Sequence, residues 1–267
     1  MFIPERIARS LADALVRFAL AAACWSATAL AFDQSHALLG EVYKTYLTSA
    51  GRVRYADLKR DSTGHKDHPF SRYVDDIQSV KRGEFDAWAA NDRKAFLIDA
   101  YNALTLRLIV EHYPVKSIRD IGGLFTKPWS VEFFELLGGA AKSLDPIEHK
   151  LLRPVYRDFR VHVAVNCASV SCPPLRAEPY VGSRLDEQLD DQMRRWLADA
   201  SRNQYDAQAG SLLLSKIFDW YKGDFDDWGG GVAKVIATYG PATAKAALLK
   251  GGHLDYLDYD WSLNEAK

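Results

Sequence analysis

Ala95-Phe96-Leu97-Ile98-Asp99-Ala100-Tyr101-Asn102-Ala103-Leu104-Thr105-Leu106-Arg107-Leu108-Ile109-Val110, wound as a helix, is apolar around nearly its whole circumference. A surface helix needs one apolar stripe, so a helix of this kind must be enclosed by the rest of its domain. Its polar members Asp99, Asn102 and Arg107 then need partners, because an unpaired buried amide costs roughly 1–3 kcal/mol. Asp99 and Asn102 are three apart and share a face. That face either ties down neighbouring loops or presents Asn102 to a site. Pro114 ends the helix.

Working outward, helical spacing covers Asp33 to Leu47 and Ser183 to Ala200, the latter through Leu185, Leu189, Met193, Trp196 and Leu197. Alternation predicts short strands at Arg52–Leu58, at Arg160–Val165 with His162 opposite Val161 and Val163, and at Leu212–Leu214. Trp129–Leu137 and Ala140–Leu144 read as a hairpin about Gly138-Gly139, and Leu254–Leu263 as a final strand. Asp145-Pro146-Ile147-Glu148 has the form of a helix start, with Asp145 as its cap, and places His149 and Arg153 on one face. Without βαβ regularity, this mixture predicts an α+β fold, with helices around a small, mainly antiparallel sheet.

With 48% hydrophobic and 26% charged residues, the 267-residue chain has ordinary globular composition. A net charge of −1 gives no field to attract nucleic acid, and no nucleic-acid partner is expected. The first residues differ from the rest. Arg6, Arg9 and Arg17 precede an apolar run, Phe18 to Ala31, that ends in Ala29-Leu30-Ala31. These are the marks of a secretory signal peptide over residues 1–31, cleaved after Ala31 and followed by one globular domain over 32–267. The run of about 14 residues falls short of the roughly 20 that cross a bilayer, so no integral span is expected. An alternative is a lipoprotein acylated at Cys24, although Ala21 stands where a large aliphatic residue belongs. The expected location is the periplasm. After cleavage only Cys167 and Cys172 remain, in a compartment where disulfides persist.

Function concentrates in Val161-His162-Val163-Ala164-Val165-Asn166-Cys167-Ala168-Ser169-Val170-Ser171-Cys172-Pro173-Pro174, a histidine-bearing segment running into a loop with both cysteines. Three chemistries fit. A thiol nucleophile needs its pKa lowered, by His149 or His162 as imidazole with Asp99, Asn102 or Asn166 to orient it. A disulfide can close the four-residue gap between Cys167 and Cys172. His149, His162, Cys167 and Cys172 also make a zinc-type donor set, without a second Cys pair to support it. Ser215-Lys216 is either a base pair or a helix cap, and Trp220, Tyr221, Asp224 and Phe225 either wall a pocket or fill the core.

These residues resemble the family called domain of unknown function 547. The likeness is carried by Ala100-Tyr101-Asn102-Ala103-Leu104, Tyr113-Pro114-Val115-Lys116-Ser117-Ile118, Ile147-Glu148-His149 and Leu152-Arg153-Pro154. It continues through His162 with Asn166-Cys167-Ala168-Ser169, Cys172-Pro173-Pro174-Leu175, Leu214-Ser215-Lys216-Ile217-Phe218 and Trp220-Tyr221, about residues 85–226 in all. Asp99 stands where the family's helix has Asn. The resemblance implies no assigned activity. The family's occurrence in cytosolic plant proteins speaks against the disulfide. A buried helix followed by a histidine-bearing strand also resembles papain-like and transglutaminase-like folds, with Asn102 where those place their thiol.

The expected function is thiol-dependent hydrolysis or transfer at an amide or thioester-like bond. Cys172 is the preferred nucleophile with Cys167 beside it, His162 the base and Asn102 the orienting group. His149, Arg153, Asn166, Lys216 and Trp220 are expected to bind substrate. No cofactor and no metal are expected. The alternative is a non-catalytic module that binds a small molecule or a cell-envelope partner.

Overall fold

The structure is a computed structural model that describes residues 31–123 and 126–266. The chain divides into two units, Met1–Phe32 and Asp33–Lys267, and the fold described is that of the second. Apart from Ala31, the expected leader lies outside the described residues, and Cys24 with it.

Five helices come first: α1 (Ala37–Tyr46), α2 (Tyr55–Ser62), α3 (Pro69–Ser79), α4 (Arg82–Ala87) and α5 (Ala90–His112). Helix α5 is the enclosed helix the sequence predicts, with every residue from Lys94 to Leu106 buried. Two of its buried polar side chains, Lys94 and Asn102, are met by partners elsewhere in the fold. The Lys94 ammonium pairs with Asp158, and the Asn102 amide bonds to two backbone groups of the 164–166 segment. A run of short helical turns over 144–156 follows, including a π-helical stretch at Ile147–Leu152, and then a 3₁₀ turn at Phe159–Val163.

The C-terminal part holds α6 (Leu185–Ala198), β1 (Gln204–Asp206), β2 (Ser211–Leu214), α7 (Ile217–Trp220), α8 (Lys222–Gly229), α9 (Val232–Tyr239), α10 (Ala242–Lys250) and β3 (His253–Tyr256). The sheet is small and mixed. β1 pairs antiparallel with β2, while β2 runs parallel to β3 with Leu212 opposite Leu254. Leu185, Leu189, Met193, Trp196 and Leu197 of α6 are all buried. Trp196, Phe218 and Phe225 join Leu212 and Leu214 in one apolar cluster. That cluster packs α6 to α10 against the sheet and sets the position of the segment from Ile217 to Phe225. No helix among the described residues is long and apolar enough to cross a membrane.

Several expected strands differ. The fold is mainly helical, its sheet is mixed rather than mainly antiparallel, and no papain-like or transglutaminase-like arrangement is evident. The 160–165 segment is a 3₁₀ turn, because the Asp158 side chain accepts from Arg160 N–H and starts the turn. Its alternation carried no face information, since Val161 to Asn166 are all buried. Tyr55 and Leu58 of the expected 52–58 strand lie in α2, and only Val53 makes strand-like bridges, to Leu47 and Glu265. The 129–144 hairpin reduces to a turn with one bridge, Leu136 to Ala141, and the final strand ends at Tyr256. Asp145 is not a cap: the position belongs to Ser143, and Asp145 instead accepts from Ser130 Oγ at 2.5 Å.

Candidate active site

A cleft of about 460 Å³ opens between the 144–156 run, the 165–172 loop and the segments around Trp220 and Tyr259. Cys167, Cys172, His162, Glu148, His149, Tyr101 and Tyr221 line it, with Trp129, Trp220, Tyr259 and Trp261 as an aromatic wall. These wall rings contact one another, with centroids 4.5–5.7 Å apart, so each holds its neighbour in place. Trp220 is 46% exposed, an apolar surface left open at the mouth.

The 165–172 loop is held from behind. Asn102 Nδ2 donates to Ala164 O at 2.9 Å, and Asn102 Oδ1 accepts from Asn166 N–H at 2.8 Å. Asn166 donates to Pro173 O at 2.7 Å and accepts from Ala168 N–H at 2.8 Å. Arg202 reaches the carbonyls of Cys172 and Val170 at 2.8 and 2.7 Å. Ala168 takes a left-handed φ of 58°, a conformation a non-glycine residue keeps only when its surroundings enforce it. The loop is thus a built support for the two sulfurs.

Those sulfurs are unequal. Cys172 is buried at 4% exposure, while Cys167 is partly exposed. Cys167 Sγ and Cys172 Sγ lie 2.9 Å apart, with the Cys167 S–H as donor while it is protonated and the Cys172 S–H as donor once Cys167 is a thiolate. Ser169 Oγ and Tyr259 Oη each lie 3.3 Å from Cys167 Sγ. The Cys172 hydrogen bond is the main cause that lowers the Cys167 thiol to about 7, over the opposing effect of burial. Burial pushes the Cys172 thiol well up, so it stays protonated and donates. Of the two sulfurs, Cys167 rather than the expected Cys172 is the one that its surroundings favour as a thiolate.

His162, 2% exposed, hydrogen-bonds through Nε2 to Asp224 Oδ2 at 2.7 Å. Its ring stacks on Tyr221 with centroids 3.8 Å apart. Burial lowers the imidazole's pKa more than Asp224 raises it, which makes the ring neutral near pH 7. Burial acts to raise the Asp224 carboxyl, but bonds from His162 and Arg153 outweigh it and hold it at about 2. Asp224 is thus an acceptor, Nε2 carries the ring proton, and Nδ1 has a lone pair with no partner among the described residues. Among the hydrogen bonds of the described residues, none joins His162 to either thiol.

Arg153 binds Asp224 with both arms, at 2.7 and 3.0 Å, and contacts His149 Nδ1 at 2.9 Å. It braces the carboxylate from outside the cleft. Asn102 does not orient His162, as the sequence reading expected; Asp224 does, and Asn102 is a loop support. Asn166 serves the same scaffold, and Lys216 pairs with Asp219 at 2.9 Å away from the cleft. Of the expected binding residues, His149 and Trp220 line it. The zinc-type set does not converge: His162 meets Asp224, His149 meets Arg153 and the cysteines meet each other. Among the described residues no group of three His, Cys, Asp or Glu could hold a metal ion. Sequence reasoning missed Asp224 as His162's partner, and Glu148, which accepts from Tyr221 Oη at 2.7 Å. The only signal was acidic residues among the aromatics at 220–225.

Residues 85–197 match a family model described as "Protein of unknown function, DUF547". That segment holds both cysteines, His149, Arg153 and His162, while Tyr221, Asp224 and Tyr259 lie beyond it. No curated protein and no solved structure matches the chain.

Proposed function

We propose a reaction for a chain whose residues 85–197 match the DUF547 family, whose description assigns none: thiol-dependent acyl hydrolysis or transfer, with Cys167 as nucleophile and a thioester as the favoured substrate. The observation that carries it is one cleft lined by a partly exposed cysteine, its sulfur in contact with a second thiol, and by a buried His–Asp pair whose other ring nitrogen has no hydrogen-bond partner among the described residues.

The chemistry follows from protonation states. Cys167 Sγ as thiolate adds to the acyl carbonyl carbon and needs no base. The leaving group departs as a thiolate, which requires no acid. An amine leaving group would need a proton that neutral His162 cannot supply from Nδ1, so a thioester fits better than an amide. In deacylation a water attacks the acyl carbon while His162 Nδ1 takes its proton, and Asp224 steadies the imidazolium. Cys167 then leaves as the thiolate, and the carboxylic acid and imidazolium give up their protons to solvent. If another nucleophile replaces water, the outcome is transfer.

The aromatic wall favours a second reading, in which the cleft holds a flat small molecule or a cell-envelope partner without chemistry. Ligand-induced thermal stabilisation that survives in Cys167→Ala, with no acyl turnover in wild type, identifies that case. We also propose a periplasmic location, supported by the basic, apolar, small-residue order of residues 1–31.

The nucleophile is tested by alkylating the reduced protein across pH and mapping the site. Cys167 reacts first, with half its maximal rate at about pH 7. In Cys172→Ala the midpoint rises toward the ordinary thiol value near 8.5, because the S–H donor to the thiolate is gone. Faster labelling of Cys172, or a midpoint that the substitution leaves unchanged, contradicts the assignment.

A further inference from the structure

We propose that Cys167 and Cys172 form a redox-active dithiol, with Cys167 the sulfur that a hydroperoxide oxidises and Cys172 the sulfur that resolves it into a reversible disulfide. This chemistry stands on the loop's geometry and holds whether or not acyl transfer is the reaction.

Three observations support it. The reduced sulfurs already touch at 2.9 Å, and a disulfide bond of about 2.05 Å requires a further approach of only about 1 Å. The loop is shaped for that approach. Cys167 N–H donates to Cys172 Sγ at 3.0 Å, Cys172 N–H donates to Ser169 O at 3.2 Å, and Arg202 and Asn166 fix the carbonyls around Cys172. The division of roles follows from exposure: Cys167 is partly exposed and Cys172 is buried, in the lining of one cleft. Such an accessible thiolate beside a resolving cysteine is the environment in which a sulfenic acid is captured before further oxidation.

The steps balance. Cys167 Sγ attacks one peroxide oxygen and the O–O bond breaks. This gives Cys167 sulfenic acid and an alkoxide, or hydroxide from hydrogen peroxide itself. Ser169 Oγ and Tyr259 Oη, each 3.3 Å from the sulfur, stand where hydroxyls can donate to that departing oxygen. Cys172 then gives up its thiol proton and attacks Cys167 Sγ, which releases water as the sulfur–sulfur bond forms. Two thiols lose two electrons, and the hydroperoxide is reduced to an alcohol and water. A small-molecule thiol returns both cysteines by exchange. Closure also consumes the thiolate that acyl chemistry would use, so oxidation would switch off that reaction.

The test is intact mass of the reduced protein after one equivalent of hydrogen peroxide, with digestion to follow Cys167 and Cys172. Wild type is expected to lose two hydrogen masses, to lose both alkylatable thiols together, and to recover both with dithiothreitol. Cys172→Ser instead gains one oxygen mass at Cys167, trappable by a 1,3-diketone, and Cys167→Ser keeps its mass and its free Cys172. The proposal is overturned if wild type gains oxygen without losing hydrogens. It is equally overturned if wild type stays unchanged at a peroxide dose that oxidises free cysteine, or if the disulfide forms between molecules. Thioester turnover by the reduced protein is a separate readout, and its absence touches only the acyl reading.

Discussion

Cys167→Ala is expected to abolish hydrolysis of a simple acyl thioester, a loss of at least about 100-fold relative to reduced wild type. The reason is structural rather than positional. Cys167 is the partly exposed cysteine, and its thiolate is the one that the Cys172 S–H stabilises. Cys172→Ala should be milder. It removes the donor that lowers the Cys167 thiol, so the thiolate fraction near neutral pH falls by about tenfold, and raising the pH restores most of the rate. Loss of thioester absorbance in the three proteins across pH checks this. Equal, complete loss in both variants at every pH would mean that the loop, not one sulfur, is what the reaction needs.

The second large effect is at Asp224. Its carboxylate takes both arms of Arg153 and the His162 Nε2–H, so Asp224→Ala strands a guanidinium and frees the imidazole at once. Removing one partner of a buried pair costs about 3–5 kcal/mol, and the partial exposure of Arg153 places this case at the lower end. The folded-state pKa of Asp224, about 2, lies below the ordinary carboxylate value. The stability it contributes is therefore complete above about pH 4 and disappears as pH falls toward 2. Asp158, also held at about 2, where bonds from Arg160 and Lys94 outweigh the raising effect of burial, shares that profile. The variant should thus show a shallower acid dependence than wild type, not a flat one. Urea unfolding of both proteins between pH 2 and pH 7 measures it. Equal stabilities at pH 7 would show that Asp224 braces nothing.

Much of the site was legible in sequence because it is local. His149 to Cys172 falls within one short stretch, and His149, His162, Cys167 and Cys172 line one cleft. What escaped was long-range or conformational. Asp224 reaches His162 across 62 residues, and no local pattern reports that pairing. The roles of Cys167 and Cys172 turn on which sulfur donates and which is exposed, and their shared loop hides this. Asn102 was correctly placed on a buried helix, yet its amide is used to hold backbone at Ala164 and Asn166. The fold shows the same division. Helices α5 and α6 declare themselves through their apolar patterns. The Val161–Val165 alternation misled because both faces of that segment are buried, leaving the Asp158 cap to decide the turn.

The central claim, that Cys167 carries the acyl group, is tested most directly by intact mass. Reduced protein is mixed with excess acyl thioester, quenched in acid and digested to locate the adduct. The account predicts one acyl group on Cys167, accumulating further in His162→Ala because deacylation loses its base. An unmodified Cys167 after demonstrated turnover, or the same adduct in Cys167→Ala, would contradict it.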